Sequence, residues 1–314
     1  MYKSIVTGAF GQDGYFLTEL LSKEKISEIV CCGGSLNKIS SDMYSSSNIK
    51  ILRLNLLNDY EIVSLIKSEK PDIIYNLAGF SSPLDSWDYP SEALHTNGFS
   101  VLTFLESIKN YSPKTKFFNA CSAKIFSQKI EGAHTVNSSV DPSEPYGLGK
   151  YLGFQLINQY RNRYGLFACS GILYNHESHL KNEKFVVYKI CKNALKLKVG
   201  KIKKFDLYNL DSEIDFGDPR DYVRAMVLIM RQNKPEDMII SSNVSISIRD
   251  ICLLVGDLLQ IDNILDYVNV KDKNKKKIFP LRGDNTRLHE IGWTPKYSLK
   301  DTLTYMLENI SITS

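Results

Sequence analysis

Short apolar runs alternate along the first half of the chain with stretches whose apolar positions recur at helical spacing. This alternation predicts strands separated by helices. Ser4–Thr7 is a short apolar strand, and Gln12–Leu21 follows with helical period. Glu28–Cys32 and Lys50–Leu54 read as the next strands, Asp59–Ser68 as a helix and Asp72–Leu77 as a buried strand. Pro90–Lys109 is a helical stretch and Lys116–Ala120 another strand. Pro145–Tyr164 keeps helical period and starts with a proline, whose fixed φ suits a first turn. Phe167–Leu173 follows as a strand. Strands joined through helices form parallel βαβ units with right-handed crossovers. The expected class is α/β: a Rossmann-type doubly wound parallel sheet with a smaller C-terminal substrate lobe.

The second half is less regular. Leu180–Lys204 is basic and reads as helical, and Phe205–Pro219 as loop and short strand. Asp221–Gln232 and Ile248–Leu259 read as amphipathic helices, and Val270–Lys277 as a lysine-rich loop. The expected division is a dinucleotide-binding domain over 1–172, with part of 215–245 returning to it, and a substrate-binding lobe over 173–314.

Composition narrows the partners. A chain of 314 residues can bury a sizeable core, and 43% hydrophobic with 24% charged residues is ordinary for a globular protein. A net charge of +4 argues against a nucleic-acid partner and leaves room for a small anionic substrate. The six cysteines, at 31, 32, 121, 169, 191 and 252, show no C-x-x-C spacing. No metal site is expected, and buried reduced thiols are the simpler reading. The N-terminus runs straight into a strand, without a signal peptide, and no apolar run is long enough to span a bilayer. A cytoplasmic protein with no membrane partner is expected.

Thr7-Gly8-Ala9-Phe10-Gly11-Gln12-Asp13-Gly14 follows the first strand and opens the first helix. Gly8 permits a tight turn, Gly11 a close approach of backbone to a pyrophosphate, and Gly14 close helix-to-sheet packing. A helix N-terminus adds unpaired N–H groups and a favourable field. After the second strand the chain reads Cys31-Cys32-Gly33-Gly34-Ser35, with Asn37 and Lys38 nearby. Neither a ribose-binding acid nor a clear cation for a 2′-phosphate stands there, so NAD is preferred over NADP. Candidate cofactor contacts are Gly8, Phe10, Gly11, Gln12, Asp13, Gly14, Asn55, Leu56, Leu77 and Ala78, with Tyr146 and Lys150.

Tyr146 and Lys150 are four residues apart in a predicted helix and share one face. An ammonium there favours the tyrosinate and can hydrogen-bond the cofactor ribose. The tyrosine takes a hydroxyl proton as hydride leaves the same carbon. Ser122, at the end of a preceding strand, can hydrogen-bond that oxygen. Ser122, Tyr146 and Lys150 are the candidate catalytic set.

With these motifs in place, the chain resembles the extended short-chain dehydrogenase/reductases, and among them the GDP-mannose 4,6-dehydratases. The markers are the Gly11-Gln12-Asp13-Gly14 loop, Tyr75-Asn76-Leu77-Ala78, Pro145-Tyr146 with Lys150, and Gly171 through Asn175-His176-Glu177-Ser178. Phe185-Val186 with Lys189-Ile190, Asp221-Tyr222-Val223 and Gly292-Trp293-Thr294-Pro295 extend them. The resemblance implies oxidation of a GDP-hexose at C4 by a tightly held nicotinamide cofactor, in a homo-oligomer. It places Asn175 on the sugar diphosphate and Lys189 near the substrate. Ser82, Lys124 and Val186 complete the candidate substrate contacts.

The departures point to altered chemistry. The family's active-site glutamate falls on Lys124, and its following tyrosine on Phe126. An arginine of the substrate lobe falls on Ile214, and a diphosphate-holding Arg-Pro-x-Glu stretch is replaced by the lysine run Lys271–Lys277. A protonated lysine cannot serve as the base for elimination. The expected activity is oxidation of a GDP-linked manno-configured sugar, hexose or heptose, without dehydration, as in GDP-heptose 4-dehydrogenases. The reduced cofactor would then need a second oxidant, such as a 2-oxo acid. Alternatives are a dehydratase using Glu177 or Asp85 as base, a 4-keto reductase or epimerase, and a non-catalytic sugar-nucleotide-binding paralogue.

Overall fold

In the computed structural model, which describes residues 2–24, 28–34, 44, 46–129, 131–271 and 279–312, strand and helix alternate through the first half. This half contains β1 (Lys3–Thr7), α1 (Gln12–Lys23), β2 (Glu28–Gly33), β3 (Ile49–Arg53), α2 (Asp59–Glu69) and β4 (Ile73–Asn76). Next come α3 (Pro90–Leu94), α4 (Ser100–Tyr111), β5 (Lys116–Ser122), the two-residue β6 (Ala133–His134) and α5 (Pro145–Tyr164). Then follow β7 (Ala168–Leu173), β8 (Asn175–His176), α6 (Val186–Lys198), β9 (Phe205–Leu207), β10 (Glu213–Gly217) and α7 (Pro219–Met230). The chain continues through β11 (Met238–Ile240), β12 (Ser245–Ser247), α8 (Ile248–Leu259), β13 (Val268–Val270), β14 (Arg282–Gly283), α9 (Thr286–Glu290) and α10 (Leu299–Asn309).

Seven strands form one parallel sheet in the order β11-β7-β5-β4-β1-β2-β3. Strand order reverses at β1, which has β2 on one side and β4 on the other. A crevice opens at the carboxyl ends of strands at such a switch point, and ligands bind there.

Neighbouring residues of a strand serve opposite faces of the sheet. Ile5, Val30, Phe117 and Ala168 pack with Ile62 of α2, Phe104 of α4 and Ile157 of α5. Val6, Cys31, Phe118 and Cys169 pack with Leu17 of α1, Met226 of α7 and Trp293. All are buried, and each large apolar side chain contributes about 1.5–3 kcal/mol by leaving water. A separate cluster joins α6, α8 and α10 through Ile190, Val255 and Met306. All six cysteines are buried and free, and no helix among the described residues is long and apolar enough to cross a membrane.

The helices α5 and α8 have the bounds the sequence predicts, because both ends of each are marked. Pro145 starts α5, and Gly165 closes it at φ 66°. The Ser247 hydroxyl accepts the Asp250 N–H at the start of α8, and Gln260 ends it in the left-handed region. Elsewhere the structure differs. Pro90–Lys109 is not one helix: a π-helical turn, His95–Phe99, separates α3 from α4. Of Leu180–Lys204 only Val186–Lys198 is helical. The helix α7 starts at Pro219, because Asp218 caps it by accepting the Arg220 N–H. Of the lysine run, Lys271 pairs with Asp206 at the end of β13, and residues 272–278 lie outside the described residues.

Candidate functional site

The crevice begins where β1 ends. The chain turns at Gly8 (φ +66°), where a Cβ would stand 2.8 Å from the Ala78 backbone nitrogen. A Cβ at Gly14 would stand 2.2 Å from the Gly8 carbonyl oxygen. The protein's own packing therefore demands both glycines. A Cβ at Gly11 would meet only that carbonyl, at 3.3 Å, so the open side of Gly11 is left for a ligand. Gly11 is also the N-cap of α1, where unpaired N–H groups favour a phosphate.

A buried ladder aligns the strand ends. The Thr7 hydroxyl donates to Asn76 Oδ1 (2.8 Å) and accepts the Leu77 and Ala78 N–H groups (3.1 Å each). Asn76 Nδ2 donates to Asn119 Oδ1 (3.0 Å). Over this floor lies a cavity of about 600 Å³. Gly8, Gly11, Gln12, Asp13, Gly14, Asn55, Leu56, Leu77, Ala78 and Ser82 line it. Phe10 stands behind it, packed edge-on against Tyr44 and close enough to Gly33 that a Cβ there would lie 2.5 Å from its ring. Asn37 and Lys38 lie outside the described residues. The open glycine, the helix start and the cavity size suit a dinucleotide.

A second cavity, of about 190 Å³, adjoins the first and shares Asp13, Leu77, Gly79 and Lys181 with it. Ser122, Lys124, Tyr146, Lys150, Asn175 and Glu177 line it. Ser122 ends β5, and its hydroxyl accepts the Lys124 N–H (3.2 Å) in the cavity that Tyr146 also lines. The Tyr146 N–H donates to Ser86 Oγ (3.2 Å) at the start of α5. One turn on, Lys150 is buried, with Nζ 6.0 Å from the Tyr146 ring centre and donating to the Ala120 carbonyl (2.8 Å).

Burial pushes the Tyr146 phenol up to about 12, with the nearby Ser122 hydroxyl opposing. Burial pulls the Lys150 ammonium down to about 8. Both groups are thus less charged than in water. Together they place a phenol and a close, weakened cation in one cavity.

Other predicted residues are placed as follows. Lys124 sits in the short 3-10 turn after β5 and makes no ion pair among the described residues. Phe126 is buried and stacked on His134. Asn175 is exposed at the rim. Val186 and Lys189 line neither cavity: Val186 opens α6 against its apolar cluster, and Lys189 Nζ lies 5.8 Å from the Tyr208 ring centre. Asp85 is tied to Lys184 (2.5 Å). The Glu177 carboxylate accepts the Tyr188 N–H (2.8 Å) and so caps α6, while burial holds it up to about 7. No cluster able to hold a metal occurs among the described residues.

Sequence reading missed Asn97, which lies in the π-helical turn. Its Nδ2 donates to the Phe80 carbonyl (3.1 Å), and its buried Oδ1 has no partner. A Cβ at Gly79 would stand 2.3 Å from that oxygen and 3.5 Å from Lys150 Nζ, which places Asn97 behind Lys150. A π-turn often marks a functional site, but it interrupts helical period without leaving a sequence signature.

Comparison with known proteins gives the family and the fold. The profile of the family described as GDP-mannose 4,6 dehydratase matches residues 5–306. Human GDP-mannose 4,6 dehydratase is 30% identical over 334 residues, which cover 97% of this chain and 90% of the human one. RMD from Pseudomonas aeruginosa, solved with NADPH, superposes with a TM-score of 0.82 at 20% identity over 98% of each chain. The UDP-glucose 4-epimerase of Thermus thermophilus, solved with NAD, superposes at 0.85 and 17% identity, again over 98% of each. The two solved structures share the fold of this chain.

Proposed function

We propose a specific reaction for this chain, which belongs to the GDP-mannose 4,6-dehydratase family. It oxidises C4 of a GDP-linked manno-configured sugar, hexose or heptose, to the 4-keto sugar nucleotide and leaves the C6 hydroxyl in place. The observation that carries this reading is Lys124 in one cavity with Ser122 and Tyr146, where the resemblance places a glutamate.

Tyr146 accepts the proton of the C4 hydroxyl. Ser122, at the end of β5 in the same cavity, hydrogen-bonds the same substrate oxygen. Lys150 supplies a cation that favours the tyrosinate. The bound nicotinamide supplies the acceptor for the C4 hydrogen. The substrate thus loses two hydrogens, one as a proton and one as hydride. Elimination would require removal of the C5 proton and expulsion of the C6 hydroxyl. A protonated Lys124 has no lone pair with which to take that proton. Turnover then needs a second oxidant for the reduced cofactor, and a 2-oxo acid is the proposed class. NAD is the proposed cofactor, because Cys32, Gly33 and Gly34 at the end of β2 offer no cation for a 2′-phosphate.

A second reading has one observation in its favour. Glu177 lines the same cavity, and burial raises its carboxyl into the range of a base at neutral pH. A dehydratase using Glu177 would return the hydride to C6 within each turnover. Single-turnover absorbance separates the two. With excess protein and a GDP-linked manno-sugar, reduced nicotinamide should accumulate and persist. Reduced nicotinamide that rises and decays without added oxidant would favour the Glu177 dehydratase.

A further inference from the structure

The loop Gln12-Asp13-Gly14 and the segment Asn175-His176-Glu177-Ser178 touch each other across the crevice. Gln12 Nε2 donates to the His176 carbonyl (3.1 Å) and to Asp13 Oδ1 (3.0 Å), and Ser178 Oγ donates to Gln12 Oε1 (3.0 Å). His176 Nε2 lies 3.0 Å from both Asp13 carboxylate oxygens, and Nδ1 lies 2.6 Å from the Tyr174 carbonyl. A carbonyl only accepts, so Nδ1 carries a proton. Burial opposes ionisation of Asp13, but the Lys181 charge and the Gln12 hydrogen bond favour its carboxylate form independently of the ring. The carboxylate is then also only an acceptor, and Nε2 carries the second proton. The ring is an imidazolium, stacked on Tyr222 at 4.4 Å.

We propose that His176 is a positioning residue, whose imidazolium neutralises Asp13 at the junction of the two cavities and docks β8 on the phosphate-loop helix α1. The inference rests on the assignment of Tyr146 as the base. Asp13 lines both cavities, and its charge acts on Tyr146 and on Lys150, favouring the protonated form of each. Paired with His176, that charge is muted. Unpaired, it raises the phenol further. Seating of the substrate-side strand and readiness of the base are therefore one event. The other groups acting on Tyr146 are Ser122, Cys121, Glu144 and Lys150. His176 is faced by Asp13, Tyr222 and the neighbouring Glu177, with Lys181 acting on both acids.

The test is a pH titration of cofactor-saturated protein carrying tyrosine labelled with carbon-13 at Cζ. The Tyr146 signal is assigned by its loss in Tyr146→Phe. In His176→Gln, which keeps a hydrogen-bond donor and drops the charge, the Tyr146 titration should move up by roughly half a pH unit or more. In Asp13→Asn it should move down. The double variant should return close to wild type. A latch that only holds the fold together would lower the melting temperature of each single variant without these opposed shifts. Shifts of the same sign, or none in a folded His176→Gln, overturn the proposal. Nitrogen-15 labelling of histidine tests it in the wild type alone, should His176→Gln not fold. Two protonated ring nitrogens on His176 at neutral pH support the proposal, and a neutral ring refutes it. Neither readout needs substrate, so failure to turn over any GDP-sugar would remove the proposed reaction and leave this result standing.

Discussion

Gly8, Gly11 and Gly14 shape the cofactor end of the crevice by the side chains they lack. Ser122, Lys124, Tyr146 and Lys150 shape the sugar end by the groups they carry. At the cofactor end, strand carboxyl ends, a helix start and an internal Thr7–Asn76–Asn119 ladder do the positioning. An atom added at Gly8 or Gly14 collides with backbone, which cannot move aside, whereas one added at Gly11 meets only the Gly8 carbonyl, at 3.3 Å. At the sugar end, the same scaffold presents side chains into a small cavity, and one exchange can change the reaction without disturbing the fold. Lys124 illustrates this: its backbone N–H bonds Ser122 Oγ whatever side chain it bears. On the proposed function, binding of the dinucleotide is a property of the fold, and the outcome of the oxidation a property of single residues.

Three changes should break this contrast at different points. The largest effect belongs to Tyr146→Phe, which should lower the rate of cofactor reduction by roughly two to four orders of magnitude. Cofactor affinity, measured by calorimetry, should survive because only one hydroxyl is lost. Near-wild-type oxidation in this variant would remove Tyr146 from the mechanism. Gly11→Val acts at the other end. Its branched side chain occupies the open face that the backbone leaves for a phosphate. Cofactor affinity should fall by on the order of a hundredfold, equivalent to about 3 kcal/mol, while the melting temperature of the apoprotein changes little. Unchanged affinity would move the phosphates elsewhere.

The smallest effect is on stability. Burial raises Glu177 to about 7, so folding favours its neutral form. That contribution is full below the unfolded value of about 4.3 and is lost as pH rises through about 7. The loss is on the order of 3 kcal/mol or less. Glu177→Gln keeps an acceptor for the Tyr188 N–H and carries no charge. Its melting temperature relative to wild type should therefore rise between about pH 5 and pH 8. A pH-independent difference would show that Glu177 stays ionised throughout.

How much of this was legible in the sequence depended on the range of each interaction. The phosphate loop and the helix α5 were readable because their signals are local: glycines at fixed spacing, Pro145 at a first turn and Gly165 at a last one. The strand β11 has only three residues and gains its place by pairing with β7, more than sixty positions earlier. Nothing near Met238 announces that. The Asp13–His176 pair joins residues 163 positions apart, so each motif was visible while their contact was not. Asn97 was hidden because the π-turn that aims it breaks the period by which helices are recognised. Glu177 was weighed as an alternative base without its capping role, which depends on where α6 begins.

The measurement that bears most directly on the central claim is the mass of the product formed from a GDP-linked manno-configured sugar, hexose or heptose. The proposed reaction removes a proton to Tyr146 and a hydride to the cofactor, and Lys124 cannot start the elimination that would follow in a dehydratase. The expected product is lighter than the substrate by two hydrogens and retains the oxygen at C6. A product lighter by one water would contradict the account, because it would show that a base other than Lys124 takes the C5 proton.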